Sequence, residues 1–131
     1  MWFHIDPSSG TPIYRQVADQ VRQAVAGGTL RPGDRLPSVR ELAVELAINP
    51  NTIAKAYQEL ERDGVIETPR GRGSFIADRD QGLPAEARRE KLRPAVERLV
   101  VEAYHLGVRD EDVQRMVQRL LEEARRKRDN G

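Results

Sequence analysis

Three features predict an α+β fold, an N-terminal winged helix-turn-helix followed by a short two-helix C-terminal region. They are a Ser-x-x-Glu capping box at Ser38 to Glu41, a second helix start at Asn49-Pro50, and a Gly/Arg turn from Pro69 to Gly73 between two short apolar runs. The capping box marks a helix entry because serine and glutamate satisfy each other's orphan backbone donors. Asparagine before proline marks another, since proline at the first helical position forfeits no hydrogen bond. The expected boundaries are residues 1–78 for the winged unit and 79–131 for the helical one.

The elements follow in order. Thr11 and Pro12 read as an N-cap and first helical residue. Ile13, Val17, Val21, Ala24 and Val25 then recur at helical spacing until Gly27-Gly28 stops the run. A turn at Pro32-Gly33-Asp34 leads to the capped helix, which offers Val39, Leu42, Ala43 and Leu46 to a core. Ala47-Ile48-Asn49 is the turn of the helix-turn-helix. The helix beyond it carries an apolar stripe, Ile53, Ala54, Tyr57 and Leu60, and an opposite polar stripe, Asn51, Thr52, Lys55, Gln58 and Arg62. The polar stripe is the one suited to a groove. Gly64 ends this helix. Residues 65–68 and 74–77 read as the two strands of a hairpin, the wing, whose glycines let the backbone approach a phosphate closely and whose Arg70 and Arg72 add charge.

After a polar linker at 78–82, Leu92, Val96, Leu99, Ala103 and Leu106 step by four and three residues in a coiled-coil-like seam. Pro94 is expected to kink that helix or to restart it near Arg93. Asp110, Glu111 and Asp112 suit the start of a last helix, where the dipole favours negative charge. Val113, Met116, Val117, Leu120, Leu121 and Ala124 form its apolar stripe. Two short amphipathic helices cannot bury their faces alone, so a homodimer is expected, with Leu92, Val96, Leu99, Ala103, Leu106, Val113, Val117, Leu120 and Leu121 as its dimerisation residues. The basic end, Arg125 to Arg128, complements the helix dipole and reads as a solvated terminus.

Composition narrows the function. A chain of 131 residues holds one core and a small appendage, too little for a large catalytic domain. Zero cysteines remove disulfides, thiolate nucleophiles and cysteine-based zinc sites. His4 and His105 lack paired ligand spacing, and no nucleophile–base set is visible, so neither an enzyme nor a cofactor or metal is expected. The amino terminus is no secretory signal, and no apolar run approaches the roughly 20 residues of a membrane span, so a soluble, cytoplasmic protein without membrane partners is expected. Net charge is only +1, and residues 27–80 carry eight Lys/Arg against nine Asp/Glu. Distribution matters more than the total, because Arg35, Arg40, Lys55, Arg70 and Arg72 lie on segments that a winged helix turns toward DNA, while Glu59, Glu61, Asp63 and Glu67 crowd the far end.

The words Pro32-Gly33-Asp34-Arg35-Leu36-Pro37-Ser38-Val39-Arg40-Glu41-Leu42-Ala43, Asn49-Pro50-Asn51-Thr52-Ile53-Ala54-Lys55-Ala56-Tyr57, Arg62-Asp63-Gly64 and Arg70-Gly71-Arg72-Gly73 resemble the DNA-binding domain of the GntR bacterial transcription regulators over about the first 78 residues. With its Ile5-Asp6-Pro7 start and brief tail, the whole chain resembles the YtrA subfamily. The resemblance implies a dimeric repressor on double-stranded operator DNA, with transporter genes as possible targets. It places Arg35 and Ser38 near phosphate, Arg40 near a base or phosphate, Asn49, Asn51 and Thr52 at the start of the reading helix, and Arg70, Gly71 and Arg72 at the wing contact. Many members carry guanine-reading arginines where this chain has Pro50 and Ala54. With Asn51 and Lys55 as the remaining long donors, adenine or mixed readout stands beside guanine readout. Any small-molecule effector would sit between helices or at the dimer interface. Two other classes fit the same residues: a winged-helix adaptor that binds protein, and the DNA-binding half of a larger regulator fused to an aminotransferase-like domain.

Overall fold

The computed structural model describes residues 3–78 and 82–130. Contacts divide the chain into two compact units near residue 80. Most of the expected linker, residues 79–81, and Trp2 lie outside the described residues.

The first unit is built from α1 (Ile13–Ala26), α2 (Val39–Leu46) and α3 (Pro50–Arg62), followed by the strands β1 (Ile66–Glu67) and β2 (Phe75–Ile76). The strands pair antiparallel, Ile66 opposite Ile76 and Glu67 opposite Phe75. One core joins them: Val17, Ala18 and Val21 from α1, Leu42 and Ala43 from α2, Ile53, Ala56, Tyr57 and Leu60 from α3, and Leu36, Ile66 and Ile76 from the wing. Each fully buried Leu, Ile or Val contributes about 1.5–3 kcal/mol. Ala56 is buried where the apolar stripe pointed to Ala54, which is only half-buried. The two alanines flank Ile53 and Tyr57 on either side, and small residues at such edges satisfy a helical period almost equally well.

The two capped helices form as their sequences require. Ser38 Oγ accepts from the Glu41 amide at 3.0 Å and the Glu41 carboxylate accepts from the Ser38 amide at 3.0 Å. α2 closes on Ala47 in the left-handed region (φ 54°), and the Ile48 amide reaches back to the Ala43 carbonyl at 3.0 Å. Asn49 Oδ1 then accepts from the Asn51 amide at 2.8 Å to open α3, with Pro50 at its first position. The start of α1 differs from the expectation by one residue: Pro12 is the N-cap and no side chain caps the helix. Thr11 lies one residue outside the helix, where its amide donates to Ser9 Oγ at 3.1 Å and its carbonyl accepts from Gln16 Nε2 at 2.9 Å. Gln16 also bridges the Asp6 backbone, and Gln20 one turn later accepts from the His4 amide at 2.7 Å. These two amides strap the N-terminal segment along α1 and pack Phe3 and Ile5 against the core.

Tyr57 does more than fill space. Its hydroxyl donates to the Pro37 carbonyl at 2.7 Å, tying the middle of α3 to the residue before the capping box, and burial pushes the phenol well above its usual range. Tyr57→Phe leaves that carbonyl without its donor and is expected to cost about 1–2 kcal/mol of unfolding free energy. A denaturant midpoint matching the parent's would show that water replaces the bond.

The second unit, residues 80–126, holds α4 (Ala85–Leu106) and most of α5 (Asp110–Asn130), whose last residues group with the first unit; Gly107, in the left-handed region, closes α4. Neither helix buries a single described residue. α4 runs unbroken through Pro94, against the expected restart near Arg93. Proline deprives the Glu90 carbonyl of its intrahelical partner, but this turn is fully exposed and water can replace it. As expected, α5 opens on Asp110, Glu111 and Asp112.

Candidate nucleic-acid interface

The wing is wider than its hairpin. Residues 33–36 run beside β2: the Gly33 amide donates to the Ile76 carbonyl and the Ile76 amide to the Asp34 carbonyl, both at 2.8 Å, and the Leu36 amide donates to the Ser74 carbonyl at 2.9 Å. Arg35 thereby pairs with Phe75. This bridge joins the segment before α2 to the edge of the two-stranded wing, so Arg35 and the arginine turn belong to one hydrogen-bonded unit. Gly71 and Gly73 both hold a positive φ that suits glycine, +78° and +87°. A Cβ on Gly73 would make only an ordinary contact with Arg35 Nε at 3.4 Å, whereas a Cβ on Gly71 would meet nothing, which leaves its backbone open to a close approach.

Two kinds of arginine share this unit. Arg22 pairs with Asp63 at 2.6 Å and with Glu59 at 3.4 Å. Arg15 and Arg62 reach the same largely buried Glu59 carboxylate at 3.6 and 3.8 Å. This network fastens α1 to the far half of α3 and matches Glu59 and Asp63 with cations. Arg35, Arg40, Arg70 and Arg72 are exposed, and none forms an ion pair with a described residue. Cations already matched by carboxylates have little to offer a polyanion; unmatched ones keep their full attraction.

The other sequence-selected residues divide by local role. Ser38 and Asn49 spend their side-chain oxygens as helix caps. Asn51 is exposed and Thr52 half-exposed on the first turn of α3. Lys55 extends from the same stripe, but its ammonium lies 4.1 Å from the centre of the Tyr14 ring on α1. Tyr14 was not selected by the sequence, because at helical spacing an aromatic residue reads as core and its partner is on another helix. In the second unit the seam residues are in place and uncovered: Leu92, Val96, Leu99, Leu106, Val117, Leu120 and Leu121 are all exposed, and Ala103 and Val113 half-exposed. Val100, Val101 and Tyr104 are exposed too, outside the seam. Among the described residues no helix is long and apolar enough to cross a membrane.

A capped two-helix pair whose second helix has a polar outer stripe, followed by a two-stranded wing bridged to the segment before α2, defines a winged helix-turn-helix protein. Residues 13–76 match the model of the gntR family of bacterial regulatory proteins. The chain is 45% identical over 104 residues to the HTH-type transcriptional repressor YtrA of Bacillus subtilis, covering 79% of this chain and 80% of that one. It is similar in structure to YtrA from Sulfolobus acidocaldarius, a GntR-family transcription factor, with a TM-score of 0.63 and 38% identity over 77% of this chain and 99% of the other. The DNA-binding domain of AraR in complex with operator ORX1 matches 56% of this chain and 92% of its own, with a TM-score of 0.51 and 28% identity. The chain belongs to the GntR family and is a YtrA-like regulator.

Proposed function

We propose that this protein is a cytoplasmic, dimeric repressor that binds double-stranded operator DNA in the promoter of its own operon. The observation that carries the reading is the division of charge: Glu59 and Asp63 at the far end of α3 are held by Arg15, Arg22 and Arg62, while Arg35, Arg40, Arg70 and Arg72, on the segments bordering α3 and the wing, form no ion pair with a described residue. Arg35, Ser38, Arg70, Gly71 and Arg72 are assigned to phosphate, which sets affinity and register. Asn51 and Thr52, at the head of α3, are assigned to base edges, and Asn49 to holding that head in place. The exposed apolar faces of α4 and α5 are assigned to a second copy of the chain. Two reading helices in a dimer address half-sites about one helical turn, roughly 34–36 Å, apart. The operator complex of AraR supports the DNA assignment by likeness of the winged unit.

Run-off transcription from the promoter of its own operon tests the reading. Added protein should suppress the transcript, with half-repression near or below about 10⁻⁸ M, a typical specific affinity. Arg72→Ala should raise that concentration, and should weaken binding to an unrelated duplex by the same factor as to the promoter. A loss confined to the promoter would contradict the phosphate role, and a transcript unaffected by the parent protein would contradict repression.

A further inference from the structure

One aromatic residue of the winged unit has no role in that assignment. Tyr14 stands half-buried in the first turn of α1, packed against the core, and two cations lie near its ring: Lys55 Nζ at 4.1 Å from the centroid and Arg15 Cζ at 5.7 Å. Arg15 also donates to the Tyr14 hydroxyl at 3.4 Å and is drawn away to Glu59 at 3.6 Å. Lys55 has no carboxylate partner among the described residues, so the ring face is what orients its ammonium. A ring quadrupole attracts a cation over its face, and a lysine so held loses much of the rotamer freedom that an exposed four-carbon stem has.

The direction in which the ring draws this ammonium is informative. Asn51 and Lys55 are one turn apart on the polar stripe of α3, yet the lysine leans onto another helix rather than extending along its own. A base-reading lysine must reach a base edge with its stem extended. A lysine held at the border between two helices presents a compact point charge instead, the form of contact lysine makes with phosphate.

We propose that Tyr14 is a positioning residue that holds Lys55 as a phosphate anchor at the α1 border of α3, so that Lys55 adds affinity and salt dependence but no base choice. The proposal rests on the DNA-binding reading above and extends the interface to α1, leaving sequence choice on this helix to Asn51 and Thr52. The ring face is the working part. The hydroxyl is dispensable, because its bond is to Arg15 and not to Lys55.

The test is fluorescence anisotropy of the full chain on its promoter duplex and on a scrambled duplex across a salt series. Lys55→Gln should weaken both by the same factor, roughly five- to tenfold at 0.1 M salt, and lower the log–log salt slope by about 0.9 for each copy bound. Tyr14→Leu should reproduce that loss of slope, the double variant should lose no more than either single one, and Tyr14→Phe should keep the parent slope. A loss on the promoter alone in Lys55→Gln would make Lys55 a base reader, and an unchanged slope in a folded Tyr14→Leu would make the ring simple packing; either overturns the proposal. If Tyr14→Leu does not fold, the Lys55 ε-methylene proton shift in the intact protein decides instead: ring-current displacement upfield is expected, and a random-coil value overturns it. Wild-type protein that binds neither duplex would remove the DNA reading itself. Wild-type binding with parent-like slopes in the variants would remove only the role of Tyr14 and Lys55.

Discussion

Leu99→Asp is expected to leave a monomer at micromolar concentration in place of the proposed dimer. Leu99 is 41% exposed in the isolated chain and lies in the middle of the seam formed with Leu92, Val96, Ala103 and Leu106. α4 is apolar beyond that seam, at Val100, Val101 and Tyr104, so it has more surface to cover than a single contact stripe. A two-fold interface counts every substitution twice. Losing burial of two leucines and confronting two carboxylates with apolar surface weakens association by roughly 6–8 kcal/mol, four to six powers of ten. Leu120→Asp tests α5 in the same way, at a residue 62% exposed. The check is light scattering together with circular dichroism. A helical monomer is the expected product, and a particle that keeps the parent mass would place the interface elsewhere.

Arg40→Ala has the second largest expected effect. Arg40 follows the Ser38 cap on the first turn of α2 and is exposed. It forms no ion pair with a described residue, and α2 is tied to α3 by the Tyr57–Pro37 hydrogen bond, so its position relative to the reading helix is fixed. If it reaches a base, truncation costs about 1–3 kcal/mol on the operator, roughly 5- to 150-fold, and much less on a scrambled duplex. Equal losses on both make it a phosphate contact. Unchanged binding removes it from the interface.

Much of this fold was legible because its signals are local. The Ser38–Glu41 box, the Asn49-Pro50 start and the Arg70–Gly73 turn each declare themselves within a few residues, and each forms as written. The features that escaped are made by pairs distant in sequence. Residues 33–36 carry a Pro-Gly turn signal, and nothing nearby reveals that they pair with 74–76. Tyr14 packs against the core and also meets Lys55 across two helices, and a helical period alone cannot reveal the second contact. Pro94 is the opposite case: of the kink or restart that its ring predicts, the restart does not occur, because one missing donor on an exposed turn does not interrupt a 22-residue helix. The candidate site followed the same rule: residue types and order were readable, whereas the pairing of Arg15, Arg22 and Arg62 with Glu59 and Asp63, which separates matched from unmatched cations, required the fold.

The central claim is sequence-specific, electrostatically driven binding to double-stranded DNA. Fluorescence anisotropy of the purified protein on its promoter duplex and on a scrambled duplex, each between 50 and 200 mM salt, tests it most directly. The expected result is tighter binding to the promoter at every salt concentration, with affinity falling on the order of 10³–10⁵ across the range, as a dimer making roughly 6–10 phosphate contacts requires. No binding to either duplex at 50 mM salt would contradict it and would turn attention to a protein partner for the winged unit.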